Sequence, residues 1–380
     1  GNQLTQTGTT PITFSVSSSN NQLTATTGSL VRSYSYDAAG HVTGYGTNGF
    51  TYNNRGRIAA TVASTTDYLY NALGQMIEKS GTLGTTVLMQ DDSGHLIGEY
   101  NGSGQLIEET VWVGDIPVAT LQPNGSGGVN IYYVHTDHLN SPKKIAQPTT
   151  GTLAWRWDTD PFGTAAPNQN PGGLGTFAYN LRFPGQYYQA ETGLNQNVNR
   201  DYDPLIGKYD QSDPAGLSAG VNTYSYVLAN PLWYSDPYGL LTEQQVIALI
   251  NANNLSKLST ELILCLIYKE SSFNPDAQNG AHRGLMQLFD SSAEWVGYSP
   301  TDMLDPALNI QAGTKLLNRL VIWKNLGNGD VADGLRRYGP TGETPPYQQQ
   351  ILNCEDCLKK KHANGCDQDA DCFKALHGGK

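Results

Sequence analysis

The sequence predicts a multidomain chain: an antiparallel all-β shell built from repeated hairpins, followed by a mainly α-helical domain. Three observations predict it. Ahead of residue 240 the chain is rich in Gly, Thr, Asn and Tyr and has few long apolar runs. A short turn unit recurs within that part. After it, apolar residues fall at helical spacing, as in Leu241-Thr242-Glu243-Gln244-Gln245-Val246-Ile247-Ala248-Leu249-Ile250. The expected boundaries are 1–130 for the repeat region, 131–240 for a core region ending in the junction, and 241–380 for the helical domain.

Residues 1–30 are Thr, Ser, Asn and Gly rich and read as irregular strand or linker. The repeat then begins. Tyr36-Asp37-Ala38-Ala39-Gly40-His41-Val42 is followed by Tyr52-Asn53-Asn54-Arg55-Gly56-Arg57-Ile58 and Tyr70-Asn71-Ala72-Leu73-Gly74-Gln75-Met76. Looser copies start at Asp91 and Tyr100. In each unit Asp or Asn starts a turn by bonding its own backbone, and Gly takes the left-handed position. The flanking Tyr and aliphatic residues suit a pleated sheet. Hairpins in series stack into one long antiparallel sheet.

At the junction the pentapeptide Asp213-Pro214-Ala215-Gly216-Leu217 recurs as Asp236-Pro237-Tyr238-Gly239-Leu240. Asp, Pro and Gly are turn formers, so each copy alone reads as a turn. Two copies at a change of composition point to a processing site. Two carboxyls held close do not ionise together readily, which leaves one as base and one as acid. Asp213 and Asp236 are that pair.

In the helical part, Thr242 and Gln245 form a capping box for the first helix. Further helices are expected near 260–270, from Asp305-Pro306 onward, at 331–338 and at 347–358. The run Leu262-Ile263-Leu264-Cys265-Leu266-Ile267 is apolar all round yet ends in Lys269-Glu270. A carboxylate at the end of a buried helix is desolvated, which raises its pKa and fits it for acid–base work near neutrality. Glu270 is therefore the candidate catalytic residue. The bland alternative, a cap paired with Lys269, is weak because sequence neighbours do not face each other on a helix.

The net charge is −11, which disfavours electrostatic binding of nucleic acid. No apolar run is long enough to span a membrane. The chain opens at Gly1 within a polar stretch, without Met, and reads as a fragment of a longer protein whose N-terminal region is missing. Four of the five cysteines, Cys354, Cys357, Cys366 and Cys372, cluster at the C-terminus, while Cys265 stands alone in an apolar helix. The cluster admits two disulfides or one metal site. Asp367-Gln368-Asp369-Ala370-Asp371 lacks the Gly and closing Glu of a calcium loop. No metal and no cofactor are expected.

The repeat units resemble the YD-repeat of Rhs and teneurin-type proteins. Tyr132-Tyr133-Val134-His135-Thr136-Asp137-His138-Leu139-Asn140-Ser141-Pro142 and Leu181-Arg182-Phe183-Pro184-Gly185-Gln186-Tyr187-Tyr188 resemble the Rhs-associated core, as does Asn199-Arg200-Asp201-Tyr202-Asp203-Pro204. Asn140 stands where the family often has Gly. The resemblance implies a β-cocoon fragment that encloses a C-terminal toxin. It also implies an aspartyl autoprotease that cuts between Leu240 and Leu241, with Arg200 and Asp201 supporting Asp213 and Asp236.

The string from Glu270-Ser271-Ser272-Phe273-Asn274-Pro275 to Gly284-Leu285-Met286-Gln287 resembles the family-1 lytic transglycosylase, lysozyme-like signature. That implies cleavage of the MurNAc-β-1,4-GlcNAc bond of peptidoglycan. Glu270 would act as general acid and then base, Ser271 would orient it, Met286 and Gln287 would line the sugar cleft, and Tyr338 would contact substrate. Arg337-Tyr338-Gly339 replaces the family's usual Ala-Tyr-Asn. Hydrolysis with a second carboxylate (Asp276, Asp290 or Asp305) stays open, as does a carbohydrate-binding surface protein with an inert lysozyme-like domain. The resemblance further implies a secreted interbacterial effector delivered to the periplasm of target bacteria, a cognate immunity protein, and docking to a type VI apparatus (VgrG/PAAR-like) through the missing region. An oxidising periplasm favours disulfides in the cysteine cluster, with the pairing open.

Overall fold

The computed structural model describes residues 3–7, 10–62, 65–91, 93–213, 222–240, 243–275, 277–323, 326–363, 370–373 and 376. The chain forms two compact units, Gly1–Asp213 with Asn222–Gly239, and Pro214–Val221 with Leu240–Lys380.

In the first unit a 16-stranded antiparallel sheet runs from Thr5 to Arg156 with the strands in chain order. The turns follow the repeat. Oδ1 of Asp37, Asn53, Asn71, Asp91 and Asn101 each accepts from the N–H groups two and four residues on, at 2.9–3.2 Å. The repeat glycines lie at φ of 75–87°, where a side chain is strained. The same turn recurs at Asp137, with Asn140 at φ 67° in the glycine's place; Asn tolerates that conformation. The N-terminal stretch is more regular than its composition suggests. Ile12–Val16 and Leu23–Gly28 are full members of the sheet, because Ile12, Phe14 and Leu23 alternate into a small core.

A second sheet orders Tyr187–Tyr188, Asn195–Asn197, Arg200–Asp203 and Lys208–Tyr209. Apart from Tyr188 its residues are buried. Trp155, Trp157, Phe183, Tyr202, Tyr209 and Tyr226 pack into the aromatic core beneath it, with Val134 and Ile145 of the long sheet. Such rings bury large areas and interlock edge to face, which fixes the polar strand Arg200–Asp203 in place.

The second unit contains seven helices among its described residues: α1 Glu243–Asn253, α2 Thr260–Ser271, α3 Asp290–Trp295, α4 Pro306–Ile322, α5 Val331–Tyr338, α6 Tyr347–Ala363 and α7 Ala370–Phe373. Ser259, Asp305 and Asp330 cap α2, α4 and α5 through their side-chain oxygens, satisfying otherwise orphaned N–H groups. Thr242 of the expected capping box lies outside the described residues. Leu262 to Ile267 are all buried, so α2 is the central helix of the unit. A small sheet of Gln278–Asn279, His282–Arg283 and Leu288–Phe289 leads into α3. Its two-residue strands carry no period that a sequence pattern reveals. No described helix is long and apolar enough to cross a membrane.

The cysteines correct the sequence reading. Cys265 is not alone: it bonds Cys354, joining α2 to α6, and Cys357 bonds Cys372. Cys366 lies outside the described residues. The Cys265–Cys354 bridge spans 89 residues, and closing a loop of that length destabilises the unfolded chain by about 4.6 kcal/mol in the entropic account. Reductant is expected to lower the melting temperature of the helical unit and leave the β unit unchanged. Calorimetry with and without dithiothreitol checks this.

Candidate functional site

The sheet residues just described carry the first site. The segment Asp236–Gly239 is strapped to the strands Asn195–Asn197 and Arg200–Asp203. Asn197 Nδ2 donates to the Asp236 carbonyl at 2.8 Å, Asn199 Nδ2 to that of Tyr238 at 2.9 Å, and Arg200 Nε to that of Gly239 at 2.8 Å. The glycines permit this approach. A Cβ on Gly239, at φ 61°, would sit 2.3 Å from the Asn197 carbonyl oxygen, and one on Gly185 would sit 1.8 Å from that of Pro237.

Arg200 links the two junction aspartates. Its Nη1 lies 2.9 Å from Asp213 Oδ2 and its Nη2 lies 3.2 Å from Asp236 Oδ2, with all three side chains 2% exposed. Tyr209 O–H donates to Asp236 Oδ2 at 2.7 Å, and the guanidinium lies 3.8 Å from the Tyr209 ring centroid. Burial works against the Arg200 cation, but Asp213, Tyr209 and Asp236 outweigh it and raise its pKa. A guanidinium between two carboxylates offsets their repulsion. The arrangement is thus an arginine-bridged pair, where the sequence suggested two carboxyls sharing a proton.

Asp201 does not join that bridge. Successive strand residues point to opposite faces, and its Oδ2 accepts from Gln211 Nε2 at 2.6 Å. Burial pushes its carboxyl up to about 7. Its Oδ1 is buried with no hydrogen-bond partner among the described residues. Leu240 is buried. Leu241, the other side of the expected scissile bond, and Pro214 to Leu217 of the first pentapeptide lie outside the described residues.

The second site is at the C-terminal end of α2. Burial raises the Glu270 carboxyl to about 7, against the opposing influence of its hydrogen bond from Tyr347 and the charge of Lys269, while Glu343 adds to the rise. The Tyr347 hydroxyl donates to Glu270 Oε1. Lys269 points elsewhere, to Gln350 Oε1 and the Leu376 carbonyl at 2.9 Å and to Glu343 at 3.5 Å. Tyr338 O–H donates to the Met286 carbonyl at 2.7 Å, and the Glu270 charge acts on its phenol.

Several expected roles change. Ser271 bonds back to the Ile267 carbonyl at 3.0 Å, so the hydroxyl that meets Glu270 is that of Tyr347. The Met286 side chain is fully buried against Gly313, where a Cβ would meet its sulfur at 2.3 Å. It is a core residue, and only its carbonyl reaches Tyr338. Gln287, at φ 44°, folds its amide back onto the carbonyls of Ala277 and Gly284 at 2.8 and 2.9 Å. It braces the loop between the second and third strands of the small sheet against the residue that precedes the first. Asp290 pairs with Arg283 at 2.9 Å and Asp305 caps α4; Asp276 lies outside the described residues. Sequence reasoning missed Tyr347 and Glu343, since they lie far beyond Glu270 in the chain and no local period connects them. The one available signal was a Tyr opening a predicted helix. Tyr347→Phe is expected to raise the Glu270 pKa further above about 7, because the lost donor had stabilised the charged form. A carbon-13 carboxylate titration by NMR measures the shift.

The comparisons agree with this division. The Teneurin YD-shell family matches residues 2–227, and the Transglycosylase SLT domain family matches residues 248–328. The chain is 39% identical over 121 residues to Toxin protein Tse5 of Pseudomonas aeruginosa, covering 32% of this chain and 9% of that protein. It is 33% identical over 122 residues to Double-stranded DNA deaminase toxin A of Burkholderia cenocepacia, covering 32% of this chain and 8% of that one. The chain thus spans under a tenth of the length of these two relatives. The Tc holotoxin pore of Photorhabdus luminescens superposes with a TM-score of 0.44 at 19% identity, covering 61% of this chain and 13% of that one. With its matched shell and the matched helical segment after it, the chain belongs to the Teneurin YD-shell family, in the Rhs/YD-repeat arrangement with a C-terminal transglycosylase SLT domain.

Proposed function

We propose that this chain is part of an Rhs-type antibacterial effector whose C-terminal unit cleaves the MurNAc-β-1,4-GlcNAc bond of peptidoglycan. The observation that carries the reading is Glu270, a carboxyl kept protonated up to about pH 7 and contacted by a tyrosine. A protonated carboxyl near neutrality donates to the glycosidic oxygen as the bond breaks. The carboxylate then takes the proton of the muramoyl C6 hydroxyl, which closes a 1,6-anhydro ring and regenerates the acid. That route needs one carboxyl. The two-carboxylate alternative is disfavoured because Asp290 and Asp305 are engaged by Arg283 and by the α4 N-terminus. Loss of turbidity of purified peptidoglycan tests the reading. Wild type is expected to clear the suspension and Glu270→Gln is not; equal clearing by both sinks the assignment.

The proposal includes self-cleavage after Leu240 by Asp213 and Asp236. Arg200 supports it by holding both carboxylates and the Gly239 carbonyl, one residue before the bond. Asp201, one residue along the same strand, faces away from the bridge and bonds Gln211 through its backbone N–H and its carboxylate, so the support proposed for it is indirect, through the placement of that strand. The domain boundaries 1–130, 131–240 and 241–380 belong to the same proposal, as do the cognate immunity protein, the VgrG/PAAR-like docking and delivery to the periplasm. The two toxins among the relatives support a delivered toxin. On a denaturing gel the purified protein is expected to give two bands. The smaller fragment should begin at Leu241, and Asp213→Asn should stay full length. A single full-length wild-type band removes self-cleavage from the account.

A further inference from the structure

The α4 helix and the segments flanking it carry alternating aromatic rings and cations. Trp295, at the end of α3, and Trp323, just past α4, are 44% and 45% exposed. Their rings meet at 87°, with centroids 5.4 Å apart. Arg319 lies 5.4 Å from one ring centroid and 5.6 Å from the other, and its Nη1 donates to the Trp295 carbonyl. One turn earlier on α4, Lys315 sits 5.4 Å from the Tyr298 ring. Two indoles left in water cost free energy. Here they are also held rigid by a shared cation and a backbone bond.

From this arrangement we propose a second, non-catalytic glycan-binding platform at Trp295, Arg319 and Trp323, extended by Tyr298 and Lys315. Its ligand is an amino-sugar polymer bearing carboxylates, as peptidoglycan is; in naming that ligand the inference rests on the function proposed above. Flat rings stack on the apolar C–H faces of pyranose sugars, and rigid aromatics do so at little entropic cost. Arg319 and Lys315, one helical turn apart, meet the free carboxylates of the stem peptides, or of the lactyl groups where the peptide has been removed. The chain as a whole is acidic, so an anionic polymer needs such a local patch. Protein interfaces also draw on Trp and Arg; the pairing of open ring faces with cations in an acidic chain favours the anionic glycan, and a protein partner is an outcome of the test. The platform holds the long polymer while the Glu270 site works along it.

The test uses the full chain. In a Glu270→Gln background, which prevents cleavage, binding to insoluble peptidoglycan sacculi is followed by co-sedimentation with and without Trp295→Ala/Trp323→Ala. With Glu270 intact, turnover of a soluble tetrasaccharide is compared in the same pair. Sacculus binding is expected to weaken by roughly tenfold or more, tetrasaccharide turnover to stay within about twofold of wild type, and Trp295→Tyr/Trp323→Tyr to restore most of the binding. Unchanged sedimentation overturns the platform, whether or not the patch docks a protein. Equal loss on sacculi and tetrasaccharide also overturns it, since the change then acts through the active site. A wild type that sediments through the tryptophans but cleaves neither substrate sinks the catalytic reading and leaves the platform standing.

Discussion

Glu270→Gln is expected to lower the rate of glycan cleavage by about 10²- to 10⁴-fold, the usual worth of a positioned general acid–base. The same change should make the helical unit more stable at pH 8. The sign follows from the titration. The Glu270 carboxyl is raised from 4.5 to about 7 in the folded unit, so the folded form binds its proton more tightly than the unfolded chain does. Stability is therefore full below about pH 4.5 and falls as pH rises to about 7, by on the order of 3 kcal/mol. Glutamine keeps a hydrogen-bond acceptor for Tyr347 and carries no charge. The melting curves of wild type and the Glu270→Gln variant should coincide near pH 4.5 and separate above pH 7, with the variant melting higher. Activity should fall in the same direction in wild type. The first proton transfer needs the protonated acid, so the rate should fall as pH rises through about 7. A variant that loses activity but gains no stability at pH 8 would mean that Glu270 is not held desolvated.

Arg200→Met is the second large effect. It removes the cation between Asp213 and Asp236 and leaves two carboxylates buried beside each other. Breaking a buried pair from one side costs about 3–5 kcal/mol, and here two partners are stranded. Arg200 also holds the carbonyls of Gly239 and Thr223, so the Asp236–Gly239 segment loses an anchor. Urea denaturation of the β unit should show the loss, and no fragment beginning at Leu241 should appear. Stability and cleavage separate in the partners. Asp213→Asn removes one charge and keeps the hydrogen-bonding shape, so the unit should stay folded while cleavage stops. If Asp213→Asn cleaves like wild type, the bridge is structural alone.

The repeat shell was legible because each turn is specified locally. An Asx side chain bonds the next backbone amides, and a glycine four positions into each of the tyrosine-led units takes a positive φ. Asn140 shows how far that logic extends, since it occupies the left-handed position without a glycine. The long helices were legible for the same reason: their caps and apolar stripes are local. Contacts between distant segments were not. Tyr347 reaches Glu270 across 77 residues, and Cys265 reaches Cys354 across 89. Met286 and Gln287 were assigned to a cleft from their motif, but in the fold their side chains brace the core and a loop. The motif picked out the segment around Glu270 from the sequence alone, while the direction of each side chain depended on tertiary packing. The junction lay between these cases. Its aspartates were identified from a local repeat, but the cation that joins them comes from a strand 13 residues ahead of the first.

In the proposed mechanism Glu270 alone cleaves glycan by internal transfer. Mass spectrometry of the products released from purified peptidoglycan tests it most directly. Wild type is expected to release disaccharide-peptides with 1,6-anhydro-muramoyl ends and Glu270→Gln none. Reducing muramoyl ends, formed by addition of water, would contradict it and place a second carboxylate across the site.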